Sequence, residues 1–305
     1  MSFSPNHYGI EPDQHTSSTR KRVDRCAVPE RSTRLRFELV LLCFFISAAA
    51  FAQETAQKPK QKKSPVPQPQ AHAHNDYEHE RPLFDALDHG FCSVEADVFA
   101  IEGELRVAHD RRDTKPGRTL EKLYLDPLMK RVKQNGGAVY KNGPPFTLLI
   151  DFKTKGEATY ALLKPTLAKY KEMLASKEKG KRAAISIVIS GNRPFDIIEA
   201  DKERLCGIDG RLSNLDSKMP GNLMPLISDN WGSHFKWRGE GEIPEAEKAK
   251  LLDAVKRAHD AGRRVRFWAT PENEKLWKVL ADAGVDHINT DQLARLEKFL
   301  KMKEK

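Results

Sequence analysis

The sequence predicts a single (β/α)8 barrel preceded by an export signal and a linker. Three observations carry that reading. Between residues 71 and 300, short runs rich in β-branched residues alternate eight times with helical stretches or loops. Strand–helix alternation repeated over about 230 residues suits a closed barrel better than an open sheet. The ionisable residues that could do chemistry gather at the carboxyl ends of the first three runs, where such barrels carry their sites. The 305-residue chain is 39% hydrophobic and 31% charged, which supplies one large core and excludes a multi-span membrane protein.

The first 52 residues read as an address. Arg31, Arg34 and Arg36 precede an apolar run at 39–51 that ends in Ala50-Phe51-Ala52 before Gln53. A basic flank, a short apolar core and a small-x-small end together make a secretory signal. The run is shorter than the ~20 residues a membrane-spanning helix needs. The alternatives are an uncleaved membrane anchor, or a start codon upstream of the true one. Residues 53–70 form a Pro/Lys/Gln tract with almost no large apolar side chain, expected as an extended linker. The barrel is expected over 71–305, in an exported protein.

The net charge of +9 invites a nucleic-acid reading, but its distribution removes it. More than half of the excess lies in residues 1–70, and the remainder mixes both signs with no basic stripe interleaved with aromatics. No signature of a stable protein partner is present. Beyond the signal, Cys92 and Cys206 allow at most one disulfide, and Cys92 sits in an apolar run that suits a buried free thiol.

The eight expected strands are 71–74, 91–97, 146–152, 185–190, 204–208, 223–228, 264–268 and 285–289. Helices are expected over 82–88, with proline in the first turn and Gly90 behind it, and over 157–174, kinked or broken by Pro165. Two more, at 244–261 and 271–283, each begin with proline and stop before a glycine. The stretch 211–222 shows no helical pattern, and no internal repeat is visible.

Strand one runs into His72-Ala73-His74-Asn75-Asp76-Tyr77, strand two ends in Glu95-Ala96-Asp97, and strand three ends in Asp151-Phe152-Lys153. Glu95 and Asp97 are two apart, so they share a face. Two like charges on an inward face are costly without a cation between them. With Asp151 beside them, the pattern points to a hard divalent ion with oxygen ligands, Mg²⁺ or Ca²⁺. The bland alternative has one of the pair leaning on an arginine at the rim. A hairpin turning at Glu102-Gly103-Glu104 returns His109 over the mouth of strand two, so His74 and His109 would flank the ion. One histidine can take a proton from a nucleophile while the other gives one to a leaving oxygen. His89, His259 and His287 read as structural.

The series His74-Asn75-Asp76, Glu95-x-Asp97, His109-Asp110 and Asp151-x-Lys153 resembles the superfamily of glycerophosphodiester phosphodiesterases and phosphatidylinositol-specific phospholipases C. The spacing is also similar to that of venom sphingomyelinase D. His-Asn-Asp-Tyr, Ser-Val-Glu-Ala-Asp-Val and Ile-Ser-Gly-Asn-Arg-Pro look most like the altered inheritance of mitochondria branch. The resemblance implies a metal-dependent phosphoric diester hydrolase acting on a glycerophosphodiester or phospholipid-type substrate. It implies Glu95, Asp97 and Asp151 as metal ligands and His74 and His109 as the catalytic pair. Asn75, Lys153, Arg193 and Trp268 are the substrate-binding residues it points to. Asn75 stands where typical glycerophosphodiesterases carry arginine, and Asp151 where they carry a third glutamate. Three rival readings remain, one of them a purely structural envelope protein favoured only by the basic linker. His72-x-His74 also suits a zinc hydrolase of amidohydrolase type, although the later strands end in Ser190, Asp209 and Asp229 rather than in histidine or lysine. A non-catalytic barrel that binds a lipid headgroup is the third.

Overall fold

The computed structural model describes residues 64–174 and 183–303. The expected secretory signal and the first part of the linker lie outside the described residues.

Eight parallel strands close into a barrel. They are β1 (Gln68–Ala73), β2 (Phe91–Ile101), β4 (Phe146–Phe152), β5 (Ile185–Gly191), β6 (Gly207–Gly210), β7 (Leu226–Asn230), β8 (Arg264–Trp268) and β9 (His287–Thr290). Each pairs with the next, and β1 closes the ring by pairing with both β2 and β9. The remaining strand, β3 (Glu104–Val107), folds back antiparallel on β2 as the expected hairpin. Its turn takes positive φ at Glu102 and Gly103, a conformation glycine adopts without steric cost. Around the barrel lie α1 (Phe84–Asp88), α2 (Asp126–Gln134), α3 (Gly156–Ala168), α4 (Lys171–Leu174), α5 (Phe195–Ala200), α6 (Trp231–His234), α7 (Glu245–Asp260), α8 (Glu274–Asp282) and α9 (Leu293–Lys303).

Period-two alternation sorts each strand into two faces. Val94, Ala96 and Val98, with Leu148 and Ile150, Val265 and Phe267, join the apolar core shared with the helices. The opposite face looks into the barrel, and it is largely polar. Ser93, Glu95, Asp97, Thr147, Asp209, Ser228, Arg266 and Asn289 are all buried. Leu149, Val188 and Leu226 form a small apolar cluster of their own. Hydrogen bonds span the interior between strands that are not neighbours: Arg264 reaches Thr147 at 2.6 Å, and Arg266 reaches Glu95. A polar interior stands only because its members satisfy one another, since an unpaired buried charge is costly.

Several boundaries differ from the sequence expectations. The strands expected at 204–208, 223–228 and 285–289 each start two or three residues later. Leu223, Met224 and Val285 are buried, so the hydrophobic run begins in the incoming loop, before ladder pairing does. Helix 157–174 divides at Lys169-Tyr170 rather than at Pro165. Pro165 and Ala161 lie on the exposed face, where water can serve the carbonyl that the missing proline N–H leaves free. Helix α2 and the wide turn leading into it had no counterpart in the sequence pattern. Stretch 211–222 holds one 3-10 turn, Leu212–Asn214. Cys92 and Cys206 are buried free thiols.

Strand β1 begins at Gln68, three residues ahead of the expected barrel start at Ala71. The Gln68 N–H donates to the Gly90 carbonyl at 2.7 Å, its side chain is buried, and Gln70 Nε2 donates to the Val285 carbonyl at 3.0 Å. The end of the tract is therefore part of the barrel. A chain starting at Ala71 should melt below one starting at Ser64. Two lost hydrogen bonds and one lost buried side chain are worth roughly 2–3 kcal/mol, which at about 2–4 °C per kcal/mol is a drop of about 4–12 °C. Equal melting temperatures for the two chains would show that the β1 pairing at Gln68 contributes nothing.

Candidate active site

Three carboxylates meet at the mouth of the barrel. β2 and β4 run in register with Asp97 opposite Asp151, and Glu95 precedes them by one inward position. Each of Glu95, Asp97 and Asp151 offers one oxygen, and these oxygens lie within 4.8 Å of one another. Gly191 backs the cluster: it has φ +65, and a Cβ there would collide with Asp151 Oδ1 and the Phe152 carbonyl.

The three acids are not equivalent. Burial would raise Glu95, but the Arg266 guanidinium 2.5 Å from its Oε2, with a further contact from His72, holds it below the usual carboxylate range. Burial and then the Glu95 charge push Asp97 up to about 6, against the pull of Lys153 and Tyr77. Asp151 is also raised, first by burial and despite Lys153. Lys153 bridges the latter two, its Nζ 2.9 Å from Asp97 Oδ2 and 3.3 Å from Asp151 Oδ1. Asp97 Oδ1 is buried with no hydrogen-bond partner. An orphaned carboxylate oxygen inside a cluster of three acids is what a hard cation with oxygen ligands would satisfy, so the donor set fits a divalent ion.

Two histidines flank the cluster, each fixed by a second residue. His74 Nδ1 donates to Asp291 Oδ1 at 2.8 Å, which leaves Nε2 free for chemistry. Burial would lower His74, but the Asp291 hydrogen bond and the Glu95 charge outweigh it and the net shift is upward. His109, half exposed on the strand-two excursion, sits with Nδ1 3.0 Å from the Tyr77 hydroxyl and 3.7 Å from Asp97 Oδ2. Tyr77 has one proton to give, and its shortest contact, 2.6 Å, assigns it to Asp97 Oδ2. The His109 Nδ1–H therefore donates to the Tyr77 oxygen, and here too Nε2 is left with the lone pair.

Structure brings together His74, His109, Glu95, Asp97, Asp151 and Lys153. Asn75, in the left-handed region at φ 46, places Oδ1 2.9 Å from the Tyr77 hydroxyl. Arg193 and Trp268 lie outside the group of ligand atoms, although Arg193 is near enough for the Asp151 charge to act on it. Arg193 donates from Nη1 to the Asp209 carbonyl and lies over the Phe195 ring, and Trp268 ends β8 opposite Asn230. The bland alternative for the acid pair is realised at one of its members, since Glu95 does lean on an arginine; that arginine lies inside the barrel, not at the rim. The His72-x-His74 reading does not hold. His72 is buried with Nδ1 2.7 Å from Ser93 Oγ and Nε2 3.4 Å from Glu95, and burial, then Arg266, lowers it to about 3. Among the described residues, no histidine joins the group that could share an ion.

Sequence reasoning missed Tyr77, Asp291 and Arg266. Tyr77 stood inside a quoted motif. Asp291 directly follows the last strand, and a search for carboxylates at every strand end would have found it. Arg266 alternates with Arg264 and Trp268 on the inward face of β8, a signal visible in the sequence but read only as strand.

An eight-stranded α/β barrel with a carboxylate cluster and two braced histidines at its mouth falls in the glycerophosphodiester phosphodiesterase-like class. Residues 61–206 match the AIM6-like phosphodiesterase domain, and residues 264–294 match the glycerophosphoryl diester phosphodiesterase family. The chain is 30% identical over 265 residues to altered inheritance of mitochondria protein 6 of Eremothecium gossypii, covering 74% of this chain and 68% of that protein. It is 27% identical over 273 residues to the protein of the same name from Lachancea thermotolerans, covering 72% of this chain and 62% of that one. A crystal structure of a glycerophosphodiester phosphodiesterase from Parabacteroides distasonis aligns with TM-score 0.48 and 16% identity, over 77% of this chain and 98% of that one. The chain belongs to the altered inheritance of mitochondria protein 6 family.

Proposed function

We propose that this protein is a divalent-cation-dependent phosphoric diester hydrolase working by two-histidine acid–base catalysis on a glycerophosphodiester or phospholipid-type substrate. The observation that carries the reading is the buried, unpartnered Asp97 Oδ1 within the three-carboxylate cluster, between two histidines whose free Nε2 atoms are set by partners on Nδ1. The relatives' family name supports the reaction class.

Glu95, Asp97 and Asp151 would hold the ion, which when bound supplies positive charge against a non-bridging phosphate oxygen. Lys153 adds a second positive charge beside it, and Arg193, within the electrostatic reach of Asp151, a third. One histidine takes the proton of the attacking hydroxyl, belonging either to water or to a neighbouring hydroxyl of the substrate. As the new P–O bond forms, the P–O bond to the leaving alkoxide breaks, and the other histidine gives that oxygen a proton. Asp291 keeps His74 oriented and favours its protonated form throughout. Tyr77 does the same orienting work for His109.

Hydrolysis of bis(p-nitrophenyl) phosphate by the chelator-stripped protein should appear on adding Mg²⁺ or Ca²⁺ and vanish again with excess chelator. Activity with Zn²⁺ alone would overturn the assignment of a hard, oxygen-ligated ion. No hydrolysis of this ester or of glycerophosphocholine with any of the three ions would sink the proposal.

A further inference from the structure

Inside the barrel, one oxygen of each acid in the cluster is already taken by a protein donor. Lys153 and the Tyr77 hydroxyl hold Asp97 Oδ2, and Lys153 faces Asp151 Oδ1. Glu95 Oε2 is taken by Arg266, which is only 3% exposed and whose Nη2 lies 2.5 Å away. Arg266 is itself anchored: Nε and Nη2 both donate to Asn289 Oδ1, at 2.9 and 2.6 Å. The guanidinium is planar and rigid, so this two-point hold on β9 fixes where the Glu95 carboxylate can turn.

We propose that Arg266 is a positioning residue for the proposed metal centre, restricting Glu95 to a single ligand oxygen and so setting which divalent ion the site prefers. This rests on the metal-dependent reading above. The physical reason lies in the two candidate ions. Ca²⁺ takes six to eight oxygens in flexible geometry and readily accepts both oxygens of one carboxylate, whereas Mg²⁺ demands a near-octahedral set and keeps several waters. Three carboxylates giving one oxygen each supply half an octahedron and leave the rest for water and phosphate. A Glu95 free to turn both oxygens inward would add a ligand and suit the larger ion. Arg266 thus biases the site towards Mg²⁺, and Asn289 holds Arg266 in place.

Calorimetric titration of the chelator-stripped protein with Mg²⁺ and with Ca²⁺ reads the preference without any turnover. The variants are Arg266→Met, Arg266→Lys and Asn289→Ala, with circular dichroism confirming their fold. Arg266→Met should move the ratio of the two dissociation constants towards Ca²⁺ by about tenfold or more, the scale on which groups braced behind metal ligands act. Arg266→Lys keeps the charge but cannot hold Glu95 and Asn289 together, and Asn289→Ala loosens the anchor; both should shift the ratio the same way by less. If Arg266→Met does not fold, these two carry the test. An unchanged ratio in every folded variant, with wild-type binding intact, overturns the role of Arg266 alone. Absence of binding heat for wild type with either ion overturns the metal reading and this proposal with it.

Discussion

Asp97→Asn should lower ion-dependent phosphodiester hydrolysis about 10³-fold while the protein stays folded. Charge stabilisation by a bound cation is worth several kcal/mol, and each ~1.4 kcal/mol is a factor of ten in rate. Asp97 is the informative acid because the folded protein holds it at a disadvantage. Burial and Glu95 push its pKa up, and its Oδ1 has no partner. An asparagine keeps the acceptor for Tyr77 and the volume of the side chain but removes the charge that would bind an ion. Stability should therefore hold or rise as activity falls, a combination that simple unfolding cannot mimic. Glu95→Ala and Asp151→Ala should match the loss of turnover, and all three variants should lose measurable heat on metal titration. Glu95→Ala should also destabilise the fold, because it leaves the Arg266 guanidinium buried without its carboxylate. Stripping one partner from a buried pair commonly costs about 3–5 kcal/mol. Wild-type turnover in all three variants would show that the chemistry lies elsewhere.

His74→Ala and His109→Ala should each cost about 10²–10⁴-fold in rate, the usual worth of a general acid or base, yet bind the ion nearly as wild type does. The histidines lie outside the group of ligand atoms, so removing either leaves that set whole. Asp291→Asn gives a finer test. Its carboxylate holds His74 above its ordinary range, together with the Glu95 charge and against burial. Without that charge the His74 pKa falls, so the limb of the pH–rate profile that reports His74 should move to lower pH. A limb that stays in place would show that His74 does not set it. Loss of metal binding in His74→Ala would instead make the imidazole a ligand and redraw the division of labour.

Much of this protein is legible in one dimension because its determinants are local. Alternation of Glu95 and Asp97 on one strand face depends on backbone geometry alone, and so does the glycine turn that carries the chain back to His109. Eight apolar runs separated by helix starts and stops imply a barrel for a similar reason: a buried parallel strand must be apolar on at least its outer face, whatever surrounds it. Strand ends were less legible, because residues such as Leu223, Met224 and Val285 bury themselves in loops before pairing begins, and hydrophobicity records burial without recording hydrogen bonds.

Pairings across the barrel could be decided only by the fold. His74 and Asp291 are 217 positions apart, and Glu95 and Arg266 are 171 apart. No pattern in the chain says which of the arginines on β8 will reach across to β2, or which nitrogen of His74 the acid after the last strand will hold. Closure of the sheet between β1 and β9 brings those ends together, and the inward alternation of β8 aims Arg266 at Glu95. The residue types needed for the proposed chemistry are thus written in sequence. Their charge states, their tautomers and the oxygen each acid has left to offer are set by neighbours that only the closed barrel supplies.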